Sequence, residues 1–196
     1  MTSAPSYRAA NRTRLRESLI AAARELTIAH GWENVRMVDV AKCVGVSRQT
    51  VYNEFEGRSG LAQALALTEV EHFVAAVRKE LFAQGADVRG AAYAAILHSL
   101  QEAADNPLVR AILTSARGGA DELLPYLTTR AEAVLQAAGA AVQEWAAAHL
   151  PDADPATLSL AGESIIRLTV SHIVLPLAPP ATAAADLAEV FVRLLR

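Results

Sequence analysis

The stretch Met37-Val-Asp-Val-Ala-Lys-Cys-Val-Gly-Val-Ser-Arg-Gln-Thr-Val-Tyr-Asn-Glu-Phe55 decides the fold. Its first half places apolar residues at helical spacing, at Val38, Val40, Ala41 and Val44. Gly45 follows them, and a glycine just after a helix favours the left-handed backbone that ends it. The pattern predicts a short helix that stops at a tight turn.

A second helix is predicted directly after this turn. Val46 can fill the angle between the two helices, and Ser47 is a favourable N-cap, since its hydroxyl can accept a free backbone N–H. Val51 and Phe55 lie one helical turn apart and would face inward. The outward positions carry groups suited to base edges and phosphates, at Arg48, Gln49, Thr50, Tyr52 and Asn53. The stretch therefore predicts a helix-turn-helix, and we call its second helix the recognition helix.

Residues 1–60 resemble the DNA-binding domain of TetR-type (TetR/AcrR) one-component transcriptional regulators. The resemblance rests on Ile20–Leu26, Gly31-Trp32, Val38–Ala41, Gly45–Ser47, Val51-Tyr52 and Phe55. Arg58 and Leu61 also fit the basic and apolar positions that open the family's fourth helix. Asn53, Glu54 and Glu56 depart from a pattern that more often has an aromatic or basic residue, a histidine and a proline. These departures bear on the DNA sequence preference and not on the fold.

The charge of the chain is divided unevenly along its 196 residues. Residues 1–60 carry nine Arg and Lys against six Asp and Glu, a balance of +3, whereas residues 61–196 carry nine against fifteen, a balance of −6. The basic excess coincides with the motif, and DNA phosphates would repel the acidic remainder. With 53% hydrophobic residues, the chain is long enough for two lobes. We expect a DNA-binding domain at 1–60 and an effector-binding and dimerisation domain at 61–196.

The periodicity predicts an all-α protein of about nine helices. An N-terminal three-helix helix-turn-helix domain would be joined by a long helix to a C-terminal helical domain. Residues up to about Ala10 are predicted to form a flexible arm, and the first helix to end near Gly31. Later helices are predicted at 61–85, 88–104, 107–116, 121–149, 154–175 and 182–195.

DNA contacts are predicted in both the motif and the basic start of the first helix. Arginines there fit phosphates or the neighbouring minor groove, although a merely solvated basic segment is an equal alternative. Tyr52 and Arg58 are expected on phosphates, and Gln49 and Thr50 on base edges. The predicted DNA-binding residues are Arg12, Arg14, Val38, Ser47, Arg48, Gln49, Thr50, Tyr52, Asn53 and Arg58.

The family resemblance implies a homodimer through the last two helices and an effector cavity in the second domain. The predicted helix at 154–175 is apolar around most of its circumference and must be covered on several sides. A two-fold dimer would set two recognition helices into successive major grooves of a palindromic DNA operator. The effector candidates are Phe73, Val77, Leu97, His98, Ile112, Leu113, Tyr126, Ile166, Thr169 and Val170. Their mostly apolar character favours an apolar small molecule.

Several other functions find no support in the sequence. Nucleophile-elbow, P-loop and dinucleotide signatures are missing, so no enzyme, catalytic residue or cofactor is predicted. The five histidines have no partner at metal-ligand spacing, so no metal site is predicted. Cys43 lies among core positions, which favours a buried hydrophobe over a redox sensor. Neither a signal segment nor a membrane span is predicted, and the expected location is the cytoplasm.

The leading hypothesis is a ligand-responsive transcriptional repressor, released from its operator by an apolar effector. Residues 112–126 also resemble TetR-type regulators of alkane or fatty-acid genes, although ordinary helix packing accounts for that run equally well. One alternative is a ligand-independent DNA-binding dimer. Another is a lipid or acyl-group carrier, against which the intact surface from Ser47 to Tyr52 argues. Operator binding without any additive would separate the carrier from the other two.

Overall fold

The computed structural model describes residues 7–115, 123, 125 and 132–196. Within them the chain forms nine α-helices, one 3-10 turn at Trp32–Asn34 and no strand, which confirms the all-α prediction. The helices are α1 Tyr7–His30, α2 Met37–Val44, α3 Arg48–Phe55, α4 Arg58–Ala83, α5 Val88–Asp105, α6 Pro107–Ser115, α7 Glu132–His149, α8 Pro155–Val174 and α9 Pro180–Leu194.

Most helix ends fall where the sequence pattern predicts them, with three differences. Because α1 already begins at Tyr7, the prediction of an arm up to about Ala10 is wrong for residues 7–10, and residues 1–6 lie outside the described part. α4 begins at Arg58 rather than Leu61, and α9 begins at Pro180 rather than residue 182. Most of the predicted start of α7, at 121–131, lies outside the described residues.

The chain divides into two compact units, the first of which takes in the described residues up to Leu67 and those of Ala111–Leu124. Its centre is built by several short elements. Leu19 from α1, Trp32 from the 3-10 turn, Val40 from α2 and Val51 from α3 are all completely buried. Three helices and the 3-10 turn thus share one apolar core, which holds the recognition helix in place.

The turn between α2 and α3 has the predicted geometry. Gly45 is left-handed, with φ of 77° and ψ of 30°, and the Val46 N–H donates to the Ala41 carbonyl at 3.0 Å. Ser47 then caps α3, because its Oγ accepts the Thr50 N–H at 3.1 Å. These contacts confirm the helix-turn-helix.

The second unit holds the rest of the chain and has its own core. Alanines make up much of the buried faces of α5 and α9, which lets two helices approach closely. They are Ala91, Ala92, Ala95, Ala183, Ala184 and Ala188. Trp145 of α7 is completely buried beside them, and its indole N–H donates to the Gly85 carbonyl at 2.9 Å.

Ion pairs and a cap fasten the surface of the second unit. Hydrogen bonds from Arg193 and then Arg89 hold the pKa of Glu189 below its usual value. The contact with Arg89 connects α5 to α9. At the start of α8, hydrogen bonds from the Thr157 N–H and hydroxyl lower the pKa of Asp154 in the same way. Asp154 is exposed and Glu189 is half-buried, and both remain in contact with solvent, so their contacts fix geometry more than they add stability.

Two glycine-to-alanine changes test the packing at the start of α4. A Cβ at Gly60 would overlap the Phe55 carbonyl oxygen, whereas a Cβ at Gly139 in α7 would meet nothing within 4 Å. Gly60→Ala should lower the free energy of unfolding by about 2–3 kcal/mol. Gly139→Ala should raise it by about 0.5–1 kcal/mol through helix propensity. Urea unfolding followed by circular dichroism measures both, and a neutral Gly60→Ala would contradict the close approach.

Candidate nucleic-acid interface

The recognition helix, α3, is anchored by its apolar side and presents its polar side outward. Val51 and Phe55 are buried, as predicted. Arg48, Gln49 and Asn53 are exposed. Thr50 and Tyr52 are half-buried. The helix therefore offers a row of hydrogen-bonding groups on a fixed apolar base.

The outward side chains are ordered by bonds one helical turn apart. The Gln49 amide donates to Oδ1 of Asn53 at 2.9 Å. Arg48 donates to the Tyr52 hydroxyl at 3.1 Å, and its Cζ lies 5.0 Å from the centre of the Tyr52 ring. Such pairs reduce the rotamer freedom that would be lost on binding.

A groove of about 410 Å³ lies beside this helix in the first unit. Its lining residues are Glu33, Val35, Arg36, Met37, Val38, Arg48, Tyr52 and Arg58. The structure thus brings together four predicted DNA-binding residues and adds Arg36, which the sequence analysis missed. Three guanidinium groups around one groove favour an anion such as a phosphate.

Arg58 has a structural contact as well as a place in the groove. Its guanidinium donates to the Trp32 carbonyl oxygen and lies over the Trp32 ring, with Cζ 4.9 Å from the ring centre. Trp32 is completely buried. Arg58 therefore helps to close the core of the first unit, which the basic character of this position does not reveal from sequence.

Two predictions on α2 need correction. Val38 does not share the buried face of Val40 and Ala41 but is 37% exposed, which places it in the groove. Cys43 is exposed, so its predicted burial is wrong. Both errors have the same cause: Met37, Val40 and Ala41 fill the buried face, and residues 38 and 43 lie outside it, one on each flank.

The two predicted arginines of α1 have different surroundings. Arg14 is exposed. Arg12 is held by Glu54 of α3, where its Nε donates to Oε1 at 2.9 Å and to Oε2 at 3.2 Å. The neighbouring Arg16 donates to the Glu54 carbonyl oxygen at 3.0 Å and stacks over Phe55. Glu54 and Arg16 were not predicted, and a separation of about forty residues leaves no local sequence signal for their contacts.

The effector candidates are dispersed over the structure. Val77 and Leu97 pack against the core of the second unit, and the Thr169 hydroxyl donates to the Ile165 carbonyl at 2.8 Å. Ile112 is buried, whereas Phe73, Ile166 and Val170 are half-buried. In the described part of the chain, the buried Nε2 of His98 has no hydrogen-bond partner. Tyr126 and the side chain of Leu113 lie outside the described residues.

Comparison with known proteins decides the family. Residues 19–65 match the model of bacterial regulatory proteins of the tetR family, and residues 87–193 match the C-terminal domain of a bacterial tetracyclin repressor family. The chain is also 34% identical, over 188 residues, to the HTH-type transcriptional regulator AlkX of Mycobacterium tuberculosis, covering 93% of this chain and 86% of that protein. The chain belongs to the TetR family.

Solved TetR-family structures agree with this assignment. The crystal structure of the TetR family repressor AlkX from a Dietzia species matches with a TM-score of 0.73 and 30% identity, covering 91% of this chain and 94% of that one. A tetR-family regulator from Streptomyces coelicolor shares the fold, with a TM-score of 0.61 and 20% identity, covering 93% of this chain and 80% of that one.

Membership in the TetR family settles the class of function. Its members are DNA-binding transcription factors, so this chain is a DNA-binding transcriptional regulator and not an enzyme. No group of three or more His, Cys, Asp or Glu that could hold a metal ion occurs among the residues that the structure describes. In the same part of the chain, no helix is long and apolar enough to cross a membrane.

Removing the N-cap of the recognition helix should lower the stability of this TetR-family protein. Ser47→Ala deletes the Oγ acceptor, but the Thr50 N–H keeps a 3.0 Å contact to the Ser47 carbonyl. The free energy of unfolding should therefore fall by about 0.5–1 kcal/mol, the lower part of the usual range for an N-cap replaced by alanine. Ser59→Ala on α4 is the control, and thermal unfolding that drops equally for both would refute the special role of Ser47.

Proposed function

We propose that this protein is a ligand-responsive repressor that acts in the cytoplasm as a homodimer on a palindromic DNA operator. The observation that carries the proposal is the capped recognition helix, whose polar face stands on the buried Val51 and Phe55. Residues 1–60 would bind DNA, and residues 61–196 would bind the effector and the second protomer. A small apolar molecule would release the operator.

Base recognition is assigned to Gln49, Thr50 and Asn53. The bond between Gln49 and Asn53 uses the amino group of Gln49 and the carbonyl oxygen of Asn53, which leaves the Gln49 carbonyl oxygen as an acceptor and the Asn53 amino group as a donor. An acceptor and a donor side by side match the N6 and N7 positions of adenine in the major groove. The Thr50 hydroxyl lies 2.9 Å from the Ser47 hydroxyl, and a threonine methyl group suits contact with a thymine methyl.

Phosphate binding is assigned to the arginine-lined groove together with Arg12 and Arg14. Arg36, just before α2, and Arg48 of α3 both line the groove, as does Tyr52, whose hydroxyl accepts a hydrogen bond from Arg48. Arg58 is also expected to face a phosphate, but replacing it would remove its bond to Trp32. Arg48 is therefore the better residue for an experiment.

Adjacent alanine substitutions separate the two kinds of contact. Gln49→Ala should weaken binding to the preferred sequence by about 1–3 kcal/mol and leave random DNA almost unaffected. Arg48→Ala should weaken both and lower the salt slope by roughly 0.9 for each phosphate that the variant no longer neutralises. Fluorescence anisotropy over a range of salt, on a duplex that the wild-type protein selects from a random pool, measures both. Equal weakening on both DNAs for Gln49→Ala would defeat the base assignment.

Dimerisation is assigned to α8 and α9, the last two helices. Both helices bury one apolar side in the second unit and leave another exposed, at Leu160, Leu168, Val190 and Leu194. Of these four side chains, Leu160 has the largest exposed fraction, 66%. Apolar side chains exposed in a row favour a protein partner, and a second copy gives the two-fold symmetry of a palindrome. Two recognition helices would then lie about 34–36 Å apart.

The effector is assigned to a chain-like apolar molecule with a polar head. The Dietzia relative is described as implicated in biodegradation of n-alkanes, which points to ligands of this class. The buried Nε2 of His98, which has no hydrogen-bond partner among the described residues, favours a ligand that brings a polar atom. A fatty acid satisfies His98, whereas an unsubstituted alkane of equal length does not.

Ligand titrations with and without DNA test this assignment. A fatty acid should lower operator affinity, and a tenfold release requires about 1.4 kcal/mol of preference for the DNA-free state. By reciprocity the operator must weaken fatty-acid binding by the same factor. His98→Leu should weaken fatty-acid binding more than alkane binding, with His72→Leu on the more exposed side of α4 as control. Operator affinity that no such compound changes would favour the ligand-independent dimer.

A further inference from the structure

Glu54 is an acidic residue in α3, the helix that the proposed function places against DNA. Its side chain is only 11% exposed, whereas the side chain of its partner Arg12 is 69% exposed. The carboxylate therefore lies on the inner side of the pair and the guanidinium on the outer side. An unpaired carboxylate here would repel DNA, so the arrangement of the pair decides its effect on binding.

The contact uses only one part of the Arg12 guanidinium. Nε donates to both Glu54 oxygens, at 2.9 and 3.2 Å. The two terminal amino groups of Arg12 form no hydrogen bond with any residue that the structure describes. A guanidinium held through Nε presents these groups as a planar fork, the geometry that suits a phosphate.

The backbone beneath the pair is fixed by a second arginine. Arg16 lies one turn further along α1, donates to the Glu54 carbonyl at 3.0 Å and places its Cζ 4.6 Å from the centre of the Phe55 ring. Phe55 is itself buried. The first half of α1 is thus held against the last turn of the recognition helix, and this contact fixes the position from which the Arg12 side chain extends.

We propose that Glu54 is a positioning residue, whose carboxylate holds Nε of Arg12 so that the Arg12 terminal amino groups bind a DNA phosphate beside the end of α3. The inference rests on the proposed function, because it assumes operator binding through α3. It assigns to an acidic residue a favourable role in DNA binding. Simple charge repulsion predicts the opposite sign.

A double-mutant cycle of Glu54→Ala and Arg12→Ala shows whether Glu54 strengthens or weakens DNA binding. On a duplex selected by the wild-type protein from a random pool, Glu54→Ala should weaken binding about three- to tenfold. In the Arg12→Ala background the same change should leave binding unchanged or strengthen it. Glu17→Ala removes an equal charge from α1 and should not weaken binding. Stronger binding by Glu54→Ala in both backgrounds would overturn the proposal.

Arg12→Lys gives a second test that keeps Glu54 in place. Lysine retains the charge but has one ammonium group, which cannot pair with Glu54 and present a fork to a phosphate. Arg12→Lys should therefore bind DNA more weakly than wild type although it keeps the charge, and binding equal to wild type would refute the inference. If the wild-type protein bound no DNA, the proposed function itself would fail. If the wild-type protein bound DNA and the Glu54 and Arg12 variants bound it equally well, the proposed function would stand and this inference would fail.

Discussion

The left-handed turn at Gly45 sets the direction in which the recognition helix leaves α2. A side chain would make this backbone costly, and Ser47 starts the next helix only two residues later. Val51 then enters the core that α1 and the 3-10 turn complete. The polar face of α3 points outward because its apolar side is committed to that core. The proposed base contacts, all of them on α3, depend on this short sequence of constraints.

The sequence determines the helices of this protein better than the surroundings of their side chains. Caps and breaks such as Ser47, Gly45 and Asp154 act within a few residues, so their effects can be predicted locally. α2 is different, because six of its eight residues are apolar, so apolar residues also lie beside the buried face and the pattern does not fix where that face ends. For this reason the pattern groups Val38 with the apolar stripe, although it is also a predicted DNA-binding residue, and places Cys43 among core positions. Packing against α1 and α3 leaves both exposed.

The candidate site combines local and distant contributions. The polar face of α3 could be predicted from eight consecutive residues, whereas the contacts of Glu54 join segments about forty residues apart. Each of the arginines near the start of α1 could have met that carboxylate, and only the fold selects Arg12. The same holds for Arg58, whose bond to Trp32 crosses twenty-six residues. Charge alone predicts a basic surface, but it does not predict which arginines already bind other residues of the protein.

Gly60 has a consequence for how a signal can reach the DNA-binding surface. Its α-carbon lies against the Phe55 carbonyl so closely that no side chain fits, and only Glu56 and Gly57 separate α3 from α4. The end of one helix and the first turn of the next therefore form a single mechanical piece. A rotation that pressed the start of α4 against α3 would bring these backbone atoms into overlap unless the end of the recognition helix moved as well.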